Sequence, residues 1–134
     1  MSRVLGLGLD VVDRHRFGAV LARHGGAFER RVFRDGEIRP QVAGAARVTH
    51  LAGLFAAKEA ALKALGTGWA HGLAFRQIEI ARDGNGAPGI RFHAAAAERA
   101  RALGVERALL SITHDGAVAA AVVVLEGVAA EGPR

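Results

Sequence analysis

The sequence predicts an α+β domain in which a mostly antiparallel sheet packs on one long helix, with short helices near the N-terminus. Three observations predict this class. Residues 49–65 have helical periodicity, residues 75–80 and 89–92 alternate around a turn, and residues 108–113 and 118–125 form two apolar runs. With 134 residues the chain fits a single domain, expected at 1–126, and the remaining 127–134 are expected to form a frayed tail.

The first predicted element is a mostly buried strand over residues 4–10, a short apolar run with β-branched and glycine residues that closes on Asp10. Residues 14–22 predict a helix, with Phe17, Val20 and Leu21 on one face. Gly25 and the glycine after it break this helix, and residues 28–33 predict a second short one.

The main predicted helix begins at Thr49 as N-cap and ends at residue 65, where Gly66 supplies a C-terminal stop. At 100° per residue, Glu59 falls on the edge of the apolar stripe and Lys58 within it. Two charged residues thus border the core face. The stripe consists of Leu51, Leu54, Phe55, Leu62 and Leu65.

The second half of the chain predicts a hairpin, a helix and two strands. Residues 75–80 and 89–92 flank a Gly- and Asn-containing turn, which indicates a hairpin. Residues 94–103 form an Ala-rich helix that Gly104 ends. Residues 108–113 and 118–125 are apolar enough for central antiparallel strands, with His114, Asp115 and Gly116 as the tight turn between them.

The composition excludes several classes of site and protein. The chain has no cysteine, which excludes a thiolate metal site, a disulfide framework and a cysteine nucleophile, and fits a reducing compartment such as the cytoplasm. Asp10 interrupts the first apolar run, so we expect no signal peptide. The run at 117–125 is too short to cross a bilayer, and we expect no membrane partner.

The charge is positive and unevenly distributed. The net charge is +5, and seven arginines against four acidic residues lie between positions 13 and 39. An acidic partner is therefore expected on this region. With no tyrosine and one tryptophan, the chain lacks the aromatic and basic interleaving of single-strand binders, so an acidic protein is favoured over nucleic acid.

Asp10 and Glu59 are the first candidate site residues, because both are carboxylates placed where burial is costly without a cation. Two hard oxygen ligands that leave room for phosphate and water are typical of Mg²⁺ sites. The plainer alternative is that Asp10 caps a helix and that Glu59 forms an i,i+4 pair with Lys63.

Two further segments carry candidate residues. Lys63 with Gly66, Thr67 and Gly68 offers a cation and a turn that could cradle phosphate, although such a turn is more often only a helix C-cap. His114 lies between Ser111 and Asp115, and these three residue types together suggest a hydrolase triad. Neighbours along one strand point to opposite faces, however, so they cannot form that relay, and a hydrogen-bonded turn histidine is the alternative.

Several segments together resemble holo-acyl-carrier-protein synthase, the small branch of the phosphopantetheinyl transferases. The resemblance runs in order from residue 4 to 126, and its most specific part is Phe-Ala-Ala-Lys-Glu-Ala before Gly-Thr-Gly. It departs at two places, Gly25-Gly26 in place of a continuous basic stretch, and Leu62, where some relatives are polar. The matching segments are 6–10, 28–33, 54–60, 63–68, 75–79 and 111–114.

The resemblance implies a phosphopantetheinyl transferase fold and the transfer of phosphopantetheine from coenzyme A to a serine of apo acyl carrier protein, which releases adenosine 3′,5′-bisphosphate. It implies that Asp10 and Glu59 are Mg²⁺ ligands, and that they act in catalysis with Lys63 and His114. The implied coenzyme contacts are Lys63, Gly66, Thr67, Gly68 and His114. The implied docking residues for the acidic carrier protein are Arg16, Arg23, Phe28 and Arg31.

The resemblance also implies a homotrimer with sites between subunits, in which His114 serves a neighbour's metal. The acceptor of the serine proton stays open between Glu59, a water on the metal, and Asp115 with His114. Two other functions stay open on the residues alone. One is a non-catalytic basic module that binds an acidic protein, and the other is a Mg²⁺-dependent hydrolase of nucleotide diphosphates.

Overall fold

The long helix predicted from the sequence is the centre of the fold. The computed structural model describes residues 1–66 and 72–129, and its α+β architecture confirms the predicted class. Strands β1, β5 and β4 form an antiparallel sheet in that order, and β2 and β3 form a separate hairpin. The elements are β1 Arg3–Asp13, α1 Arg14–Val32, α2 Gly44–Leu65, a 3₁₀ turn Phe75–Gln77, β2 Ile78–Arg82, β3 Pro88–Phe92, α3 Ala94–Leu103, β4 Val105–Asp115 and β5 Val118–Gly127.

Helix α2 is longer than predicted and is buried on almost every side from Leu51 onward. It begins at Gly44, and Thr49 is not its N-cap, because the Thr49 hydroxyl donates to the Ala45 carbonyl within the helix. The predicted end is confirmed. Gly66 adopts the left-handed conformation at φ 81°, which stops the helix.

Strand β1 confirms the predicted strand and extends it, but the prediction that it is mostly buried is wrong. Leu7, Leu9 and Val11 are 64%, 59% and 58% exposed. They lie on the sheet face opposite α2, and β1 is an edge strand. The apolar run predicted that both faces of β1 would be covered, because its side chains on both faces are apolar. In this chain α2 covers only one of these faces.

Two glycines set the distance between β1 and α2. A Cβ at Gly8 would lie 1.8 Å from the Ala60 carbonyl oxygen, and one at Gly6 would lie 2.2 Å from that of Ala64. No side chain fits at such a separation. The close approach therefore requires glycine at both positions. Because of it, β1 runs close along α2 as far as Asp10.

We expect Gly8→Ala to destabilise the protein by about 3 kcal/mol, because the new methyl group meets backbone that cannot move aside cheaply. Urea unfolding at a fixed protein concentration measures the change. Gly89→Ala is the matched control, since a Cβ there meets only the Ala81 carbonyl oxygen at 3.8 Å. Equal losses in the two variants would contradict the role of the close approach.

The helix break predicted at Gly25 is confirmed. Gly25 has φ 52° and ψ −133° inside α1, which divides that helix into two arms. The predicted helix at 94–103 and its stop at Gly104 are also confirmed. The hairpin is confirmed with a shorter first strand, because residues 75–77 form a 3₁₀ turn and pairing begins at Ile78 with Phe92.

The last two strands are confirmed and longer than predicted, but the predicted turn is wrong. His114 pairs with Ala119 within the β4–β5 ladder, and the chain reverses one step later, at Gly116 and Ala117. Strand β5 is central and β4 lies at the edge. Of the predicted tail, Gly127 belongs to β5, and residues 130–134 lie outside the described part. No helix within 1–66 or 72–129 has the length and apolar character that a membrane span requires.

Candidate active site

Asp10 and Glu59 meet at one cavity, as the sequence predicted. Gly6, Gly8 and Asp10 alternate along β1 on the side of the sheet that faces α2, because Asp10 pairs with the buried Ala121. Glu59 comes to the same place from the flank of α2. The two carboxylates and Lys63 line a cavity of about 420 Å³ beside the start of α1.

Lys63 is the cation paired with the Asp10 carboxylate in this cavity. Its ammonium donates to the Asp10 carboxylate and to the Leu9 carbonyl oxygen, each at 3.0 Å. The sequence suggested a pair between Lys63 and Glu59 as an alternative. Lys63 instead pairs with Asp10, across the contact between β1 and α2. The Lys63 side chain is 54% exposed, so its ammonium can also meet a ligand in the cavity.

The electrostatics of the cavity favour a further cation. Burial raises the pKa of Glu59, the nearby Asp10 carboxylate raises it further, and Lys63 opposes both effects. Glu59 is thus a carboxylate whose charge is only partly compensated. Across the described residues, no three or more His, Cys, Asp or Glu side chains converge on a metal site, so the protein offers two carboxylates here.

An aromatic wall stands beside the carboxylates. Phe17, Phe28 and Phe55 line the same cavity, with ring centroids 5.3 to 6.0 Å apart. Arg16 also lines it from the first turn of α1. Two predicted docking residues, Arg16 and Phe28, therefore adjoin the carboxylates. The other two, Arg23 and Arg31, are exposed on α1 and are not among the residues that line this cavity.

The structure does not place His114 in this cavity. His114 lines a different cavity of about 480 Å³, together with Arg39, His50 and Arg82. Burial and the neighbouring Arg39 lower the pKa of His50, so a charged ring is disfavoured beside the two guanidinium groups. In this chain His114 is thus separate from Asp10 and Glu59. Thr67 and Gly68, predicted to contact the coenzyme, lie outside the described residues.

The ladder register agrees with the argument against a hydrolase triad. Ser111 pairs with Val122, and Asp115 pairs with Val118. His114 pairs with the buried Ala119, so it lies on the opposite sheet face from Ser111 and Asp115.

A buried ion pair joins α2 to the segment after α1, and the sequence pattern did not predict it. Lys58 is fully buried and its ammonium lies 2.9 Å from the Glu37 carboxylate. It also donates to the carbonyl oxygens of Phe75 and Ile78. Burial lowers the pKa of Lys58, and the Glu37 carboxylate opposes that shift. The available signal was a lysine inside an apolar stripe, which requires an acid elsewhere in the chain.

The sequence and the fold resemble those of known proteins over most of the chain. Residues 6–123 match the 4′-phosphopantetheinyl transferase superfamily. A holo-[acyl-carrier-protein] synthase from Solidesulfovibrio magneticus is 48% identical over 126 residues, which cover 92% of this chain and 99% of the relative. The crystal structure of holo-[acyl-carrier-protein] synthase from Neisseria meningitidis superposes with a TM-score of 0.82 at 33% identity and covers 92% of this chain and 98% of that one.

A third comparison concerns a ligand. The Helicobacter pylori holo-[acyl-carrier-protein] synthase, solved in complex with coenzyme A, superposes with a TM-score of 0.75 at 30% identity. The superposition covers 89% of this chain and 98% of the Helicobacter pylori chain. A chain that binds coenzyme A therefore shares this fold over most of its length.

Proposed function

Because the chain belongs to the 4′-phosphopantetheinyl transferase superfamily, we propose that it transfers phosphopantetheine from coenzyme A to a serine of an apo acyl carrier protein. The proposed products are the holo carrier protein and adenosine 3′,5′-bisphosphate. The observation that carries the proposal is the meeting of Asp10, Glu59 and Lys63 in one cavity. The expected compartment is the cytoplasm, an expectation that the cysteine-free sequence supports.

The residues of the cavity fit a Mg²⁺ ion. Asp10 and Glu59 supply hard oxygen ligands, and burial together with Asp10 makes the Glu59 charge unfavourable without a cation. We therefore propose these two carboxylates as the ligands. When bound, Mg²⁺ would polarise the diphosphate of the coenzyme and stabilise the departing phosphate.

The side chains of the chain have separate tasks in the proposed reaction. Lys63 holds the Asp10 carboxylate and offers its exposed ammonium to a coenzyme phosphate. The serine oxygen forms a bond to the phosphorus that carries pantetheine, and the bond from that phosphorus to the diphosphate bridge breaks. Adenosine 3′,5′-bisphosphate leaves with the electron pair. Glu59, which lines the cavity beside Asp10, is proposed as the acceptor of the serine proton.

Intact mass spectrometry of a purified apo carrier protein tests this function. After incubation with the enzyme, coenzyme A and Mg²⁺, the carrier is expected to gain the mass of phosphopantetheine, and EDTA should prevent the gain. A hydrolase would cleave coenzyme A and leave the carrier mass unchanged. A non-catalytic basic module would bind the carrier and leave both molecules intact. Either result would overturn the proposal.

We propose that the carrier protein docks along α1, through Arg16, Arg23, Phe28 and Arg31. Arg16 and Phe28 line the cavity of the carboxylates, and Arg23 and Arg31 extend the basic surface along the helix. Glu29 from the second arm pairs with Arg47 of α2, which holds that arm in place. An acidic protein bound there would present its serine to the carboxylates.

Replacing both Arg16 and Arg23 by Glu should raise the KM for the carrier protein roughly tenfold or more, since rim charges steer association. The KM for coenzyme A should change much less. Steady-state kinetics with each substrate varied in turn measures the two constants. Arg91→Glu with Arg101→Glu makes the same charge change on β3 and α3 and serves as the control. Equal increases in both KM values would contradict docking on α1.

We propose that the exposed face of the β1–β5–β4 sheet packs against other copies of the chain in a homotrimer. Its large apolar side chains face away from α2, and contiguous exposed apolar surface marks interaction sites. His114 lies outside the Asp10 cavity of its own subunit, which fits a role in a neighbour's site. The exposed apolar members of this face include Val4, Leu7, Leu9, Val11, Leu109 and Val118.

Leu7→Glu should therefore convert the trimer to monomers and reduce transfer roughly tenfold or more, because a charge cannot be buried unpaired between subunits. Light scattering after size-exclusion chromatography measures the mass. Val128→Glu, at an exposed position beyond β5, should leave the mass unchanged. A Leu7→Glu variant with the wild-type mass would contradict the proposed interface.

A further inference from the structure

An arginine of helix α3 hydrogen-bonds to the C-terminal end of α2. The Arg99 Nε donates to the Leu65 carbonyl oxygen at 2.9 Å. A Cβ placed on Gly66 would lie 3.6 Å from the Arg99 Nη2, so the guanidinium also lies beside that glycine. Leu65 is the last residue of α2, and its carbonyl is one of the four that a helix leaves without partners. Arg99 satisfies this carbonyl from outside the helix.

This contact matters because of the charge expected at this end of α2. A helix C-terminus carries partial negative charge, and anions bind preferentially at the opposite end of a helix. The proposed coenzyme contacts Lys63 and Gly66 nevertheless lie in the last turn of α2 and just after it. A phosphate-bearing ligand would be repelled there unless cations offset the carbonyls. Lys63 is shared with Asp10, and Arg99 is a second cation at the same terminus.

Gly72, which follows residues 67–71, is also connected to α3 by hydrogen bonds. The Gln77 side chain donates through Nε2 to the Gly72 carbonyl oxygen at 2.9 Å. Its Oε1 accepts from the backbone N–H of Ala96, in the first turn of α3, at 3.0 Å. Helix α3 is therefore connected by hydrogen bonds to Leu65 on one side of residues 67–71 and, through Gln77, to Gly72 on the other.

We propose that Arg99 is a positioning residue for coenzyme A. It fixes the Leu65 carbonyl and the start of the Gly66 turn, and its charge offsets the negative terminus of α2 where the coenzyme phosphates would approach. The inference rests on the proposed function, and it concerns the coenzyme and not the carrier protein. Loss of Arg99 should therefore weaken coenzyme binding selectively.

The test compares Arg99→Ala, Arg99→Lys and Arg101→Ala in steady-state kinetics and in calorimetric titration with coenzyme A. Arg99→Ala should raise both the KM and the Kd for coenzyme A roughly tenfold, with the KM for the carrier protein within about twofold of wild type. Arg99→Lys keeps the charge and should recover about half of the loss on a logarithmic scale. Arg101 is exposed and lies about 200° around α3 from Arg99, so Arg101→Ala should change coenzyme binding less than about twofold.

The outcomes separate this inference from the proposed function. A wild-type enzyme that transfers nothing would remove the proposed function itself. An active wild type with Arg99→Ala indistinguishable from Arg101→Ala would overturn only the role of Arg99. Equal increases in the two KM values would indicate general distortion and would also overturn it. If Arg99→Ala does not fold at the assay temperature, Arg99→Lys and Arg99→Gln supply the same comparison.

Discussion

Replacing Glu59 by Gln should lower the rate of phosphopantetheine transfer roughly 10²- to 10⁴-fold, the range associated with loss of a catalytic acid or base. Gln has the shape of Glu but neither its charge nor its affinity for Mg²⁺ and protons. The variant should fold normally, because burial and Asp10 raise the pKa of Glu59 and so oppose its ionised form in the folded protein. Its melting temperature should equal or exceed that of wild type.

Two measurements check this expectation. Intact mass of the carrier protein follows transfer with time, and thermal melting with and without Mg²⁺ follows metal binding independently of activity. Added Mg²⁺ should raise the melting temperature of wild type and not that of Glu59→Gln, since a ligand stabilises only the state that binds it. Glu98→Gln, an exposed acid on α3, is the matched control and should behave as wild type. A phosphopantetheine gain at the wild-type rate would exclude Glu59 from the chemistry.

The sequence indicated Asp10 and Glu59 as candidate site residues, but it did not predict the contact that brings them to one cavity. The strand that ends near Asp10 and the helix that carries Glu59 were both evident from local periodicity. Their mutual position depends on the close approach at Gly6 and Gly8, which local periodicity does not reveal. Only the packing of β1 on α2 distinguishes a glycine required by close approach from one required by a turn.

The errors about β1 and His114 have different physical sources. Periodicity reports that side chains avoid water, but it does not report whether the same chain or another copy covers them. The exposed Leu7 and Leu9 are therefore consistent with the predicted apolar strand and also with an interface. His114 was placed in a turn because Gly116 follows closely, whereas the ladder with β5 continues to Asp115 before the chain reverses.

Lys58→Met should destabilise the protein by about 3–5 kcal/mol, because it leaves the Glu37 carboxylate buried without its counter-charge. It also removes the donor to the Phe75 and Ile78 carbonyl oxygens. Glu37 in turn accepts from the backbone N–H groups of Arg34 and Ile80, so the pair joins α2 to the segment after α1 and to β2.

Urea unfolding at one fixed protein concentration measures this loss, and Arg91→Met is the matched control. The Arg91 side chain is 69% exposed and lies 3.7 Å from Glu79, so its removal should cost less than about 1 kcal/mol. A double-mutant cycle with Glu37→Gln should give a coupling energy of roughly 2–3 kcal/mol, since the two side chains share one buried network. Additive losses in that cycle would mean that Lys58 and Glu37 stabilise the fold separately, each through its own backbone hydrogen bonds.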